Sequence, residues 1–304
     1  MPYKTVISAA ELAAHLHDAN WLVLDCRHDL ADPSAGAMAF ERGHIAGAQH
    51  AHLDRDLSGP RHWRTSAGGA RSDGGRHPLP DAAELRARLE RFGIRDATQV
   101  VAVDAQGGMF AARLWWLVRW LGHDAVAVLD GGLPAWLAAG QSLEEGPGLA
   151  RAPGLLPERP TLTRLADIDS VTAALDVHGG AAPPLIDARA PDRFRGENET
   201  IDPVGGHIAG AVNRFFRDNL QSDGRFKPAA QLHDEWAPLV GKKGSTIHYC
   251  GSGVTACHNL LALEQAGLPG AALYAGSWSD WISDATGHGR LAIAAGRKER
   301  SEER

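Results

Sequence analysis

The 304 residues favour two domains over one, and 44% hydrophobic with 22% charged residues is an ordinary balance for a globular protein. A formal net charge of −6 gives no reason to expect nucleic acid or a membrane as a partner. Because the N-terminal residues contain no long apolar stretch, we expect no signal peptide. Three cysteines are too few, and odd in number, for a disulfide framework, which predicts a reducing, cytoplasmic location.

In chain order, the first half alternates helical patterns with short apolar runs. Segments 8–11 (SAAE) and 81–84 (DAAE) each place a capping residue three before a glutamate, as helix starts do. The runs 22–25 (LVLD), 100–104 (VVAVD) and 125–130 (AVAVLD) are apolar on both faces, which is typical of buried parallel strands. The alternation predicts an α/β fold: a mostly parallel sheet with helices on both faces.

The second half repeats the first. The matching segments, in the same order in both halves, are WLVLDCR (21–27) with PLIDAR (184–189), RGHIAGA (42–48) with GGHIAGA (205–211), VVAVD (100–104) with TIHYC (246–250), and LDGGLPAW (129–136) with YAGSWSDW (274–281). A repeat of this length is a duplicated domain rather than a solenoid unit. We predict domains at 1–143 and 161–290, a Gly/Pro-rich linker at 144–160, and a charged tail at 291–304.

One loop of the second half is suited to chemistry on a cysteine. A predicted strand ends in Cys250, a short loop follows, and a helix begins after it. The loop residues are Gly251, Ser252, Gly253, Val254 and Thr255. Glycines let the backbone curl so that its N–H groups point inward at an anion, and the helix dipole adds positive potential. Such surroundings stabilise the thiolate that a nucleophilic cysteine needs. The alternative is a buried cysteine that packs as a small hydrophobe.

The first half provides an internal comparison. Its segment VVAVDAQGG places Asp104 where the second half has Cys250. Because a carboxylate cannot form a persulfide, we predict that the first domain is catalytically silent and acts as a scaffold and cleft wall.

The segment CGSGVTAC, together with DAR, GHIAGA and YAGSWSDW, resembles the tandem-domain rhodanese and 3-mercaptopyruvate sulfurtransferases. The resemblance covers nearly the whole chain. It implies an inactive N-terminal domain packed on an active C-terminal one, with the site in the cleft between them. It also implies that sulfur passes from thiosulfate or 3-mercaptopyruvate to Cys250, and then to cyanide or a thiol, for which a thioredoxin-like reductant is a candidate. No cofactor is implied.

The same resemblance points to residues around the cysteine. Arg193, in DRFRG, matches the first of two arginines that hold the mercaptopyruvate carboxylate, but the segment 197–207 contains no second arginine. Thiosulfate-preferring relatives carry basic residues directly after the cysteine, and Gly251 and Ser252 are not basic. The donor therefore stays open between thiosulfate and 3-mercaptopyruvate.

Two residues of the first domain match a proton relay in mercaptopyruvate enzymes. An aspartate and a histidine there reach the serine of the cysteine loop, and Asp56 and His77 stand at the matching positions of this sequence. Such a relay can assist proton transfer when a carbon–sulfur bond breaks.

Other functions fit the sequence less well. A cysteine phosphatase needs an arginine about six residues after its cysteine to grip phosphoryl oxygens, and position 256 is alanine. A non-catalytic binding or regulatory module would have lost the cysteine, which only the first half has done. Cys26 and Cys257 are expected to be core residues. The cysteines and histidines have no zinc-site spacing, so we expect no metal site.

Overall fold

The structure is a computed structural model that describes residues 1–65, 71–176, 183–240, 246–283 and 293–294. Of the predicted charged tail at 291–304, only residues 293–294 belong to the described residues; the others lie outside them. No helix in the described ranges has the length and apolar character that a membrane crossing requires.

The first half builds a sheet of five parallel strands in the order β1-β7-β6-β2-β3. The strands of this half are β1 (Val6–Ile7), β2 (Trp21–Asp25), β3 (Gln49–His50), β4 (Arg64–Thr65), β5 (Arg71–Ser72), β6 (Gln99–Val103) and β7 (Val126–Leu129). Strands β4 and β5 form a separate antiparallel pair.

Two of the helices of the first half begin where the sequence predicts. They are α1 (Ala9–His15), α2 (Ala35–Arg42), α3 (Ala82–Arg91), α4 (Ala111–Trp120) and α5 (Gly132–Ala138). Ser8 caps α1 in a reciprocal capping box with Glu11, and the Asp81 side chain accepts N–H groups of Ala83 and Glu84 at the start of α3. Both predicted helix starts are therefore confirmed, because these side chains satisfy amides that have no partner inside the helix.

The second half repeats this topology. Its sheet has five parallel strands in the order β11-β9-β12-β13-β8. The elements are β8 (Arg164–Ala166), α6 (Ile168–Asp176), β9 (Leu185–Asp187), α7 (Pro191–Phe194), β10 (His207–Ile208), β11 (Val212–Asn213), a 3₁₀ helix (Phe216–Asn219), α8 (Ala229–Val240), β12 (Ile247–Tyr249), α9 (Thr255–Gln265), β13 (Ala272–Tyr274), α10 (Ser277–Trp281) and β14 (Ile293–Ala294). Strand β14 pairs antiparallel with β10.

Helices cover both faces of each sheet. Along β2, Leu22 and Leu24 belong to a core that includes α3 and α4, whereas Trp21 and Val23 belong to a second core with α1 and α5. Side chains alternate between faces along a strand, so each strand contributes to both cores. The predicted fold class, two α/β domains with parallel sheets, is confirmed; the limits predicted for the domains and linker stay predictions.

The two halves share one hydrophobic core. Helix α4 of the first half packs against α9 of the second, and buried residues of both, including Trp115, Trp116 and Leu261, belong to a single cluster. Helix α9 follows directly on the loop after Cys250. The first domain therefore contacts the element that carries the candidate site.

The central strands of the two sheets end at corresponding places. Strand β6 is the middle strand of the first sheet and β12 the middle strand of the second. Asp104 directly follows β6, and Cys250 directly follows β12. Ligands of parallel sheets bind at the carboxyl ends of strands, so this edge of the second sheet is where a site is expected.

Candidate active site

The start of α10 holds the backbone around Cys250. The Cys250 N–H donates to the Ser277 hydroxyl over 3.1 Å. The Cys250 carbonyl accepts the Trp278 N–H at 3.0 Å, and the Gly251 carbonyl accepts the Ser279 N–H at 2.9 Å. These bonds fix the backbone of the loop at Cys250 and Gly251.

The loop turns at Gly253, whose φ is +76°. A Cβ at this position would collide with the carbonyl oxygen of Ala275. Glycine is therefore required for both the left-handed conformation and the close approach of two backbones. The expectation that glycine lets this loop curl tightly agrees with this geometry.

In the first domain, the loop after the central strand binds a carboxylate with its backbone N–H groups. The Asp104 carboxylate accepts backbone N–H groups from Gln106, Gly108, Phe110 and Ala111 at 2.8–3.0 Å. The loop after the central strand thus surrounds an anion with backbone donors, as in anion-binding nests. In the second domain the thiol of Cys250 stands at the corresponding place, ahead of the N-terminus of α9.

Cys250 lies at the wall of a cavity of about 160 Å³ between the two halves. The side chain is only 2% exposed, so the cavity provides its access. The first half contributes Leu30, Arg76, Met109 and Phe110 to the wall. The second half contributes Arg189, Ala190, Arg193, Ile201, Phe215, Phe216, Cys250, Gly251, Ser252, Val254 and Thr255.

Two arginines flank the cysteine loop. Arg193, in α7, forms a bidentate pair with Glu199, with N–O distances from 2.8 to 3.2 Å, and contacts Asp202 at 3.3 Å. Arg76 pairs with the other oxygen of Asp202. Burial raises the pKa of Asp202 against the attraction of Arg76. Burial also opposes ionisation of Glu199, but hydrogen bonds from Arg193 and the backbone outweigh it, so the Glu199 pKa is lowered.

A chain of polar side chains connects Ser252 to the first domain. The Ser252 hydroxyl lies 2.7 Å from His77 Nδ1, and His77 Nε2 lies 3.4 Å from Asp54 Oδ1. Burial lowers the pKa of His77 to about 3, with Arg113 and Arg76 adding repulsion. His77 is therefore neutral near pH 7, and with its proton on Nε2 toward Asp54 it accepts the Ser252 hydroxyl proton on Nδ1. This arrangement can move a proton to or from a group bound beside Ser252.

A family model described as "Rhodanese-like domain" matches residues 8–139 and again residues 170–284. The chain belongs to the rhodanese family. The two matches confirm the predicted duplication of one domain.

Relatives of this rhodanese act on sulfur compounds. It is 50% identical over 287 residues to a Pseudomonas aeruginosa protein named "Probable 3-mercaptopyruvate sulfurtransferase", covering 93% of this chain and 97% of that protein. A thiosulfate sulfurtransferase of Mus musculus is 34% identical over 220 residues, covering 70% and 73% of the two chains. The solved structure of a 3-mercaptopyruvate sulfurtransferase from Leishmania major superposes with a TM-score of 0.75 at 29% identity, covering 91% and 74%. The predicted assignment to the sulfurtransferases is confirmed.

The structure of this rhodanese brings most of the predicted site residues together. Cys250, the loop residues Gly251, Ser252, Val254 and Thr255, and Arg193 line one cavity. Gly253 forms the turn behind them, and His77 reaches Ser252 from the first domain.

The prediction of Asp56 as the relay carboxylate is wrong. Asp56 Oδ2 accepts the backbone N–H of His52 at 2.8 Å, and the Asp56 N–H donates to the carbonyl of His52, so this side chain closes a turn. Asp54, two residues earlier, faces His77 instead. Both aspartates lie in the same short segment, and only the conformation of the turn decides which one points at the histidine.

Two arginines of the first domain were not singled out by the sequence analysis. Arg76 lines the cavity, and its one signal in the sequence was its position next to His77. Arg113, on α4, is fully buried and donates to the carbonyls of Gly253 at 3.2 Å and His77 at 3.1 Å. Burial lowers the pKa of Arg113, an effect opposed by the thiols of Cys257 and Cys250. The local sequence around Arg113 contains no signal that this arginine reaches the loop.

The other thiol near the site, Cys257, lies in an environment that disfavours the thiolate. Cys257, on α9, is fully buried, and its sulfur donates to the carbonyl of Gly253 at 3.3 Å. Burial raises the Cys257 pKa to about 12. The expectation that it is a core residue agrees with this environment.

One group of side chains in the described ranges could hold a metal ion. Ligand atoms of His28, His52 and Asp54 all lie within 4.8 Å of one another. The lone pair of His52 Nδ1 already accepts the Asp54 N–H at 3.1 Å, however, so His52 would have to give up this bond to coordinate a metal.

Proposed function

We propose that this rhodanese transfers sulfur from 3-mercaptopyruvate to a thiol acceptor through a persulfide on Cys250. The observation that carries the proposal is the position of Cys250 at one cavity that is also lined by Arg76, Arg193 and Ser252. The cavity thus offers a nucleophile, an anion site and a proton relay within reach of a single small molecule.

The chemistry balances without a cofactor. The Cys250 thiolate attacks the donor sulfur, an S–S bond forms, the C–S bond breaks, and the electron pair leaves on the pyruvate carbon as an enolate. Ser252 protonates that carbon, and the proton on the transferred sulfur returns to Ser252. The products are pyruvate and the Cys250 persulfide anion. An acceptor thiolate then attacks the outer sulfur and regenerates the Cys250 thiolate.

The relay favours 3-mercaptopyruvate over thiosulfate as the donor. Departure of sulfite from thiosulfate needs no proton, whereas a leaving enolate needs one on carbon. Apolar walls from Met109, Phe110 and Phe215 suit a carbon skeleton beside the anion site. The similarity to the Pseudomonas aeruginosa protein supports the same donor.

The proposal assigns different roles to the two domains. The domain at 161–290 carries the cysteine, and the domain at 1–143, with Asp104 at the matching place, contributes walls and the relay. Three free cysteines support a reducing location, for which we propose the cytoplasm. A thioredoxin-like protein suits the acceptor step because its thiol is poised for exchange with sulfane sulfur.

Intact-mass measurement tests the persulfide. The wild-type protein is expected to gain the mass of one sulfur atom on incubation with 3-mercaptopyruvate and to lose it on addition of a thiol. The Cys250→Ser variant should gain nothing, and the Cys257→Ser variant, the matched control, should behave as wild type. If the wild-type mass stays unchanged, or if Cys257→Ser alone blocks the gain, the proposal fails. Labelling by thiosulfate only would reject 3-mercaptopyruvate as the donor.

A further inference from the structure

The guanidinium group of Arg76 lies directly against the cysteine loop. A Cβ built on Gly251 would stand 2.7 Å from Arg76 Nη2 and 3.6 and 3.8 Å from Arg193 Nη2 and Nη1. Both arginines also line the cavity at Cys250. The absence of a side chain at position 251 therefore leaves room for two cations, one from each domain, beside the residue that follows the cysteine.

Acidic side chains hold these cations from one side only. Asp202 accepts hydrogen bonds from both Arg76 Nη1 and Arg193 Nη2. Glu199 accepts hydrogen bonds from Nε and Nη2 of Arg193. Within the described parts of the chain, Arg76 Nη2 and Arg193 Nη1 have no hydrogen-bond acceptor. The two carboxylates thus fix the orientation of both guanidinium groups, and each group retains N–H donors for an incoming anion.

We propose that Arg76, from the domain without the cysteine, binds the carboxylate of the sulfur donor together with Arg193. The inference rests on the proposed function and names the residue that selects its substrate. A carboxylate offers two oxygens and can take one N–H from each arginine. In 3-mercaptopyruvate two carbons separate the carboxylate from the sulfur, so an anion held beside Gly251 leaves the sulfur next to Cys250.

A role for Arg76 in binding the carboxylate explains how the site can lack the second arginine that the resemblance to mercaptopyruvate sulfurtransferases implies. The segment 197–207 supplies no second arginine to the site, but it supplies Glu199 and Asp202. Asp202 reaches across the cleft and positions Arg76 beside Gly251. The donor site is consequently complete only when the two domains are packed together.

Kinetics of Arg76→Met and Arg76→Lys test the inference, with Arg61→Met as the matched control. Arg61 belongs to the same domain but pairs with Asp73 outside the cavity. Loss of one charge-assisted hydrogen bond should raise KM for 3-mercaptopyruvate by about 10- to 100-fold in Arg76→Met, with kcat within about threefold of wild type. Arg76→Lys should lie between Arg76→Met and wild type, and Arg61→Met should match wild type.

Direct binding separates this role from a structural one. Pyruvate carries the same carboxylate, and its affinity for the Cys250→Ser variant should fall by the same factor when Arg76→Met is added, as measured by calorimetry. The Gly251→Ala variant should weaken pyruvate binding as well, since its Cβ displaces Arg76. Thermal unfolding of each variant identifies any that fails to fold, and Arg76→Lys and Gly251→Ala then decide the question.

The results of these experiments can separate the role of Arg76 from the proposed sulfur transfer. An unchanged KM and pyruvate affinity in Arg76→Met, with normal persulfide formation, would overturn the role of Arg76 and leave the proposed function standing. An equal loss with thiosulfate and 3-mercaptopyruvate would contradict selection of a carboxylate. A wild-type protein that forms no persulfide from 3-mercaptopyruvate would refute the proposed function, whatever Arg76 does to pyruvate binding.

Discussion

Residues of one type take different roles according to what their side chains face. Asp25 and Asp187 each end a strand and pair with an arginine two residues later, Arg27 or Arg189, in the same geometry in both domains. This pair occurs with or without the cysteine, so it supports the fold rather than the chemistry. Asp54, in contrast, is 44% exposed at its side chain and contacts His77, which makes its carboxylate available to the relay.

The relay predicts different effects for two neighbouring aspartates. Asp54→Asn should lower kcat with 3-mercaptopyruvate by about 100-fold, because a neutral amide lacks the charge that stabilises the His77 tautomer whose Nδ1 orients the Ser252 hydroxyl. The rate with thiosulfate should change little, since sulfite leaves without a proton. Asp56→Asn is the matched control, and its amide oxygen can still accept the His52 N–H. A larger loss in Asp56→Asn than in Asp54→Asn would contradict a relay through Asp54.

At the scale of elements, the turn between β13 and α10 contains a residue in an unfavourable backbone conformation. Ser277 has a φ of 57° and is the one non-glycine residue with positive φ in the described ranges. At the matching place the first domain has Gly132, with a φ of 58°. The Ser277 hydroxyl donates to the Tyr274 carbonyl at 2.9 Å and accepts the Cys250 N–H at 3.1 Å. These hydrogen bonds offset the left-handed conformation and tie the turn to the cysteine loop.

A pair of substitutions separates the backbone cost from the hydrogen bonds. Ser277→Ala and Ser277→Gly both remove the hydroxyl, but only alanine keeps the unfavourable φ. We expect Ser277→Gly to have a free energy of unfolding about 1 kcal/mol higher than Ser277→Ala, as measured by urea denaturation followed by tryptophan fluorescence. Equal stabilities, or a more stable alanine variant, would show that the turn is not strained.

Across the whole molecule, buried contacts join the two domains around the site. Arg113 reaches from α4 to the Gly253 carbonyl. His258, on α9, lies 3.0 Å from the Gly107 carbonyl of the first domain and 3.2 Å from the Asn219 side-chain nitrogen. The neutral imidazole satisfies both, since Nε2–H donates to the carbonyl and Nδ1 accepts from the amide. Burial lowers the His258 pKa to about 4, against the opposing effect of Gly107.

This environment predicts acid sensitivity. The folded pKa of His258 lies below the ordinary value of 6.5, so the unfolded state binds the proton first and the free energy of unfolding falls as pH drops from about 6.5 towards about 4. Between pH 7 and pH 5 this one group should contribute a loss of about 2 kcal/mol.

Urea denaturation at the two pH values measures the loss. His248, whose pKa burial lowers to about 3, adds to it in the same direction. His258→Gln should therefore reduce the difference between pH 7 and pH 5 without abolishing it. If wild type and His258→Gln lose the same stability, His258 is not the group that titrates.

The sequence by itself determined the duplication, the alternation of strands and helices, and the place of the cysteine after a central strand. These features depend on local patterns: apolar runs, capping residues at Ser8 and Asp81, and glycines where the backbone must turn. Asp104 at the place of Cys250 was visible for the same reason. Such properties are encoded within a few residues, so they can be recognised before any contact is known.

Only the tertiary structure decided which side chains meet at the cysteine. Asp54 and Asp56 are the same residue type two positions apart, and the turn selects between them. Arg76 and Arg113 reach the loop from the other domain, although the chain separates Arg113 from Gly253 by 140 residues. Contacts at such separations depend on how two finished domains pack, and no local periodicity carries that information.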